Sequence, residues 1–202
     1  MVRHGLPLRV EGPTETVPTA AADPGLAADG VRQAQQVADF LGAERIDEIY
    51  SSPLLRAVET ASPLANRLSI TATLVQEIAE WDSAGPAYVP VEELKKANDP
   101  RWQALRQGHF YDPEIDLTAF RTQVVGAVES IIRKHPGGTA VLFTHAGVIN
   151  AYTGHVLGQD KAFWLALPYS PAYGSITRVI ADQRAARSLI SVNETGHVRD
   201  LL

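Results

Sequence analysis

Apolar residues recur along this chain at two spacings, one of about 3.6 residues and one of 2 or fewer, and the two alternate. In "DGVRQAQQVADFLG", Val31, Ala34, Val37, Ala38 and Leu41 fall on one helical face, with Gly42 in the left-handed position that ends many helices. "IDEIYSS" reads as a short strand. Ser52 and Pro53 then read as the N-cap and first-turn proline of a helix that carries Leu54, Ala57, Val58, Ala61, Leu64, Ala65 and Leu68 on one face and is kinked at Pro63. "SITATL", residues 69–74, is a second strand by its β-branched content. A long helix is predicted over 116–135, with Leu117, Phe120, Val124, Ala127, Val128, Ile131 and Ile132 inward and "PGG" closing it. "TAVLFT", residues 139–144, is continuously apolar, as a strand buried on both faces should be. "GVINAYTGHVLG" returns to helix, and "SITRVIA" and "SLISVN" read as two strands joined by a short polar link.

Strands alternating with amphipathic helices predict an α/β fold, a three-layer α/β/α sandwich with a mostly parallel central sheet. At 202 residues the chain fits one domain that can bury about 70% of its unfolded surface. Within that single domain, 1–202, the Pro- and Gly-rich segment 75–116 reads as a small cap insertion, with Trp81, Tyr88, Trp102, Phe110 and Tyr111 scattered through it and more apt to pack a small core than to recognise a ligand. The lack of cysteine excludes disulfides and thiolate metal sites and suits a reducing, cytoplasmic setting. "MVRHGLPLRVEG" has no apolar core of a signal peptide, and no run approaches the ~18 apolar residues of a membrane span, so no membrane partner is expected. A net charge of -5 argues against nucleic acid as a partner and confines any anion to a local basic pocket.

Ligands of such sheets sit at the carboxyl ends of the strands. Three predicted strand ends carry the same kind of chemistry: Val2 leads into Arg3-His4-Gly5, Tyr50 leads through "SSP" to a helix holding Arg56, and Thr144 leads into His145-Ala146-Gly147. Two arginine forks match a phosphate dianion, and a neutral imidazole is a competent nucleophile towards phosphorus without a metal. His4 would attack, Gly5 would let the backbone turn close to the phosphate, the helix N-termini after Ser52 and Ala146 would point N–H groups inward, and His145 would donate to a phosphoryl oxygen. His109, His135, His155 and His197 need no role in chemistry; His135 gains from the dipole at a helix C-terminus.

"VRHG", "DGVRQAQQVADFL", "YSSPLLRAVETA" and "VLFTHAGVINA", in this order over nearly the whole chain, resemble the compact phosphatase branch of the histidine phosphatase, or phosphoglycerate mutase-like, superfamily. The resemblance implies a phosphomonoester hydrolase with a phosphohistidine intermediate on His4, a phosphate pocket of Arg3, Arg56 and His145, a carboxylic acid that protonates the departing oxygen, and neither cofactor nor metal. "LVQEIAEWDSAG" offers Glu80 for that acid, with Glu77 fitting the family's stretch less well. The chain departs from the family in having Leu6-Pro7 and Val10 where Glu-Thr and a phosphate-contacting Asn often stand, and Arg9 could substitute. Compact relatives act on small phosphorylated metabolites or on phosphoproteins. A mutase-type phosphotransferase and a non-catalytic binder of phosphorylated ligands remain as alternatives. A metal site of His4, His145 and Glu80 is disfavoured by two adjacent arginines and by the lack of any local ligand spacing. A strand entering the reaction centre usually has ~5 residues, and here only Met1 and Val2 precede Arg3, so the natural product is expected to begin several residues upstream.

Overall fold

The structure, a computed structural model, describes residues 1–10, 21–106, 116–159, 171–182 and 186–202. Its sheet has six strands in the order β3-β2-β4-β1-β5-β6: β1 (Val2–Arg3), β2 (Glu48–Ser51), β3 (Thr73–Leu74), β4 (Ala140–Thr144), β5 (Ile176–Ala181) and β6 (Arg187–Glu194). β1, β2, β3 and β4 pair in parallel, and β5 and β6 extend the sheet antiparallel. The helices are α1 (Ala28–Leu41), α2 (Leu55–Leu68), α3 (Val91–Lys96), α4 (Pro100–Arg106), α5 (Leu117–Lys134) and α6 (Ala146–Val156). The expected three-layer α/β/α arrangement is what these elements build.

Alternation along the strands explains the layers. Val2, Ile49, Val141 and Phe143 point to one face and meet Val37, Ala38 and Leu41 of α1 with Ala61 and Leu64 of α2. Tyr50 and Leu142 point the other way and meet Val124, Val128 and Ile131 of α5 with Val148, Ala151 and Tyr152 of α6. β4 is apolar on both faces because it has a core on each. Although β1 has only two residues, it pairs on both sides, Val2 with Phe143 and Ile176, and His4 N–H extends the ladder to Thr144 O at 2.9 Å.

Several boundaries differ from the pattern-based reading. α2 begins at Leu55 rather than after Ser52, and its N-cap, Leu54, has no side chain able to cap. Asp23 supplies the cap instead, its carboxylate accepting from Leu55 N–H at 2.9 Å and 3.1 Å. The helix continues through Pro63 to Leu68. It ends at Ser69, which is left-handed (φ 55°), and Ile70 N–H returns to Ala65 O. Residues 69–72 are therefore used in turning out of the helix, and only Thr73–Leu74 of the predicted 69–74 strand pair in the sheet. Gly42 is the C-cap itself in right-handed conformation (φ -65°), not a left-handed residue beyond it. A Cβ there would stand 2.7 Å from the Ala38 carbonyl oxygen, so the close approach of the helix's own backbone calls for the glycine. The 116–135 helix holds, with Asp116 capping Thr118 and Ala119 N–H groups and Gly137 at φ +75° in the turn that follows.

From 75 to 106, the chain forms a 3-10 turn (Gln76–Ile78) and the short helices α3 and α4. It is tied to the first loop by a Val10–Tyr88 bridge and by Ala22 N–H to Gly85 O. Phe110, Tyr111 and His109 lie outside the described residues. His135 meets Tyr50 OH at 2.7 Å, and His197 stacks on Phe40 and meets Gly174 O.

Phe143 is fully buried at the centre of the sheet. Phe143→Ala is expected to cost about 3–5 kcal/mol in urea unfolding, against less than ~0.5 kcal/mol for Ile180→Ala on the exposed face of β5.

Candidate active site

Parallel β1, β2 and β4 end on the same edge of the sheet, and the residues just past those ends converge. Arg3 and His4 leave β1, Ser52 leaves β2, and His145 leaves β4 as the N-cap of α6. Arg56 reaches the same place from the first turn of α2. Arg3, His4, Arg56 and His145 are all at most 3% exposed.

The His4 ring is oriented by its own loop. Nδ1 lies 2.7 Å from Gly5 O, and since a carbonyl only accepts, Nδ1 carries the proton and Nε2 keeps the lone pair. Burial, then His145, Arg56 and Arg3, hold the imidazole well below its usual pKa, so Nε2 is unprotonated near neutral pH. The His4 and His145 rings are 5.1 Å apart. His145 Nε2 is 2.8 Å from Ser52 Oγ, which already accepts from Leu54 N–H at 3.3 Å. The two atoms share one hydrogen bond, and Nδ1 is buried without a partner among the described residues. Burial and the two arginines keep this ring neutral too.

Gly5 plays a different part from the expected one. Its N–H donates to Thr60 Oγ1 at 2.9 Å, and Thr60 Oγ1 donates to Arg56 O, so the N–H braces the His4 loop against α2 and is not free for phosphate. The residue is glycine because a Cβ would lie 2.5 Å from Gly30 O; at Gly30 a Cβ would lie 2.1 Å from Leu6 O. Gln33 completes the brace by accepting Leu6 N–H at 2.8 Å. The two helix N-termini expected to face an anion are likewise occupied by carboxylates, α2 by Asp23 and α6 by Glu80.

The cations are held by stacking more than by ion pairs. Arg3 lies 3.7 Å over the Tyr173 ring, donates through Nη1 to Pro171 O and to Glu92 Oε1 (3.1 Å), and leaves Nε without a partner among the described residues. Gly174, at φ +71°, makes the turn that lays Tyr173 across the site, 5.5 Å from the His4 ring. Arg56 lies 4.6 Å over Tyr88, with Asp23 and Asp82 no closer than 3.8 Å and 4.0 Å and Nε without a partner among the described residues. Tyr88 thus lies against a site arginine, whereas packing a small core was the more expected part for the 75–116 aromatics.

Of the two candidate acids, the fold brings in Glu80 and leaves Glu77 out. Thr144 Oγ1, at the end of β4, donates to Ile78 O and anchors the segment. Glu80 Oε2 then accepts Gly147 N–H at 2.9 Å and Oε1 accepts Trp81 N–H at 3.2 Å. Burial, then the negative charge of Asp82, push the Glu80 carboxyl up to about 7, although these bonds and Arg56 oppose the shift. Glu77 is exposed on the 3-10 turn, with its backbone carbonyl bonded to Gln123. Arg9 is half-exposed and pairs with Glu93 at 2.9 Å on α3. Ser52, Thr60, Asp82, Tyr88, Glu92 and Tyr173 were missed by the sequence reading; only Asp82, two residues from Glu80 in a turn-rich stretch, carried a signal for it. No group of three or more His, Cys, Asp or Glu placed to hold a metal ion occurs among the described residues. No helix among them is long and apolar enough to cross a membrane.

Docking of Glu80 depends on Gly147, where a Cβ would stand 2.1 Å from Oε1. Gly147→Ala is expected to leave the unfolding transition within about 1 kcal/mol of the parent while displacing Glu80. The carboxyl titration near 7, followed by carbon-13 NMR of labelled glutamate, should shift or vanish.

The arrangement can hold a dianion between two buried guanidiniums and an N–H, present a lone pair to it, and give or take a proton. A phosphoserine phosphatase of Hydrogenobacter thermophilus is 29% identical over 146 residues, covering 70% of this chain and 69% of that protein. The same fold occurs in a phosphoserine phosphatase variant of Entamoeba histolytica solved with phosphoserine (TM-score 0.74, 21% identity, 98% of this chain and 96% of that one). It also occurs in a mycobacterial glucosyl-3-phosphoglycerate phosphatase solved with inorganic phosphate (TM-score 0.73, 23% identity, 98% and 97%). The model of the histidine phosphatase superfamily, branch 1, matches residues 1–194, and the chain belongs to that superfamily.

Proposed function

We propose that the protein hydrolyses small phosphomonoesters through a phosphohistidine on His4. The observation that carries this reading is the His4 ring, whose Nδ1–H is committed to Gly5 O while a neutral Nε2 stands among two buried arginines. Arg3 and Arg56 bind the phosphoryl oxygens, and His145 Nδ1–H donates to one of them. His4 Nε2 attacks phosphorus as the ester P–O bond breaks, and Glu80, holding its proton up to about 7, gives it to the departing oxygen. Water then attacks the phosphoryl group, the Glu80 carboxylate takes its proton, and the P–N bond breaks to restore neutral His4. No step calls for a metal or cofactor. Segment 75–116 acts as the cap that brings Glu80, Asp82 and Tyr88 to the site. The relatives' printed ligands, phosphoserine and phosphate, support a small phosphorylated metabolite as substrate. The cysteine-free composition supports a cytoplasmic setting.

His4→Ala is expected to abolish turnover of an aryl phosphate. Parent enzyme quenched during turnover of labelled substrate should carry an acid-labile, base-stable phosphoryl group. A label on serine or aspartate, or none, would refute the intermediate.

Glu80→Gln should slow alkyl phosphates by about 10²–10⁴-fold and activated aryl phosphates far less, because only a poor leaving group needs the proton. Glu77→Gln should change neither. Since the acid must be protonated, kcat/KM for alkyl phosphates should fall as pH rises through about 7. Asp82→Asn removes a negative charge that raises Glu80, so this fall should move to lower pH. An unmoved limb would mean that Asp82 does not tune the acid.

A further inference from the structure

The segment from Pro171 to Ser175 is given over to Arg3. Pro171 O accepts from Arg3 Nη1, and the Tyr173 ring lies 3.7 Å from the guanidinium carbon. Gly174 N–H donates to Arg3 O at 3.1 Å, and Ser175 O accepts Arg3 N–H at 3.0 Å. Since Val2 faces Ile176 in the antiparallel β1–β5 pair, Ser175 stands directly opposite Arg3. Side chains so opposed share one face of the sheet, with Cβ atoms about 5 Å apart. Ser175 is fully buried, and its Oγ has no hydrogen-bond partner among the described residues. Arg3 Nε, on the opposed residue, is buried and equally without one. Buried polar groups are nearly always paired, so a donor and an acceptor that face each other and are both idle call for an explanation.

Arg3 is held through one nitrogen, Nη1, which serves both Pro171 O and Glu92 Oε1. Glu92 is half-exposed, so water can receive its carboxylate when a phosphate takes its place on the fork. Resting on the reading of Arg3 as a phosphate ligand, we infer that Ser175 is the positioning residue for Arg3: as phosphate displaces Glu92, Arg3 Nε–H comes onto Ser175 Oγ and the fork is fixed on the anion. The Tyr173 face confines the guanidinium to a plane and leaves it free to turn within that plane. Pro171 O on Nη1 and Ser175 Oγ on Nε stop the turn from two corners. The N–H groups that remain, on Nη1 and Nη2, are then aimed at phosphoryl oxygens, as a bidentate grip requires. Ser175 moves no proton in this scheme, so it governs affinity for the phosphoryl group and leaves the acid–base balance of Glu80 alone.

The test uses the whole chain and inorganic phosphate. By titration calorimetry, Ser175→Ala should bind phosphate about tenfold more weakly than the parent, the worth of one hydrogen bond to a charged group. It should lose kcat/KM by a similar factor for alkyl and aryl phosphates alike, with the fall near pH 7 unmoved. Without phosphate its melting temperature should be no lower than the parent's, since no hydrogen bond is lost, while the rise on adding phosphate should be smaller. In nitrogen-15 NMR of the parent, the Arg3 Nε–H resonance, identified by its loss in Arg3→Lys, should shift when phosphate is added. Ser175→Ala should remove most of that shift. Parental phosphate affinity in Ser175→Ala would overturn the inference. So would an Arg3 Nε–H in the parent that ignores phosphate, a result that needs no Ser175 variant to fold. Weaker binding with the Nε–H response intact would overturn it too, because Ser175 would then act without Arg3. A parent that binds phosphate but turns over no ester would refute the phosphatase reading alone, and one that binds none would refute both.

Discussion

Arg56 sets the conditions for everything around it. Its side chain is 1% exposed, yet among the described residues the nearest carboxylate oxygens stand 3.8 Å and 4.0 Å away. A guanidinium cannot shed its proton, so burial leaves it charged and strongly in need of an anion. The fold holds it in that condition by indirect means: the face of Tyr88, two carboxylates kept at a distance, and a helix whose Arg56 carbonyl is gripped by Thr60. Thr60 also holds Gly5 N–H, so the group that fixes the Arg56 backbone fixes the loop of His4. The buried guanidinium of Arg56 and the loop of His4 are therefore positioned by one hydroxyl.

The sheet makes this economy available. β1 lies between β4 and β5, and β4 lies between β1 and β2, so the chain stretches leaving β1, β4 and β2 are neighbours however far apart they are in sequence. Ser52 and His145, 93 residues apart, meet at 2.8 Å because β2 and β4 are paired in register from Glu48–Ala140 to Ser51–Phe143. Two separate cores, one on each face, fix that register by alternation, since a slip of one residue would turn Phe143 and Leu142 to the wrong layers.

What was legible in the sequence is what obeys these rules. His145 could be placed because it follows a strand whose apolar pattern marks its end, Arg56 because its helix follows the strand ending at Ser51, and Arg3 and His4 through the motif they open. Periodicity found the layers but not the junctions: the α2 start was misplaced because its cap is the distant Asp23, and strand 69–74 shrank because Ser69 and Ile70 serve the preceding helix. Gly5 and Gly42 are special for a reason other than the expected one, since the need arises from the close backbone of Gly30 and of Ala38. Tyr173, Tyr88 and Glu92 come from segments without periodicity, where only tertiary structure decides which side chain reaches the site.

Glu80 shows how opposing effects settle at a useful balance. Its two backbone N–H bonds, one from the first turn of α6, favour the ionised carboxylate, and Arg56 adds to them. Burial and the charge of Asp82 favour the protonated form, and they prevail by enough to bring the group up to about 7. Had the helix terminus won, the group would sit in the ordinary carboxylate range with almost no proton to give at neutral pH. Had burial acted alone, it would hold the proton too tightly to give it up readily near neutral pH. A reaction that uses one carboxyl first as acid and then as base is served best by a pKa near the working pH. Asp82 raises Glu80 while standing 4.0 Å from Arg56, so the spacing that leaves that guanidinium without a close ion pair also sets the proton's balance.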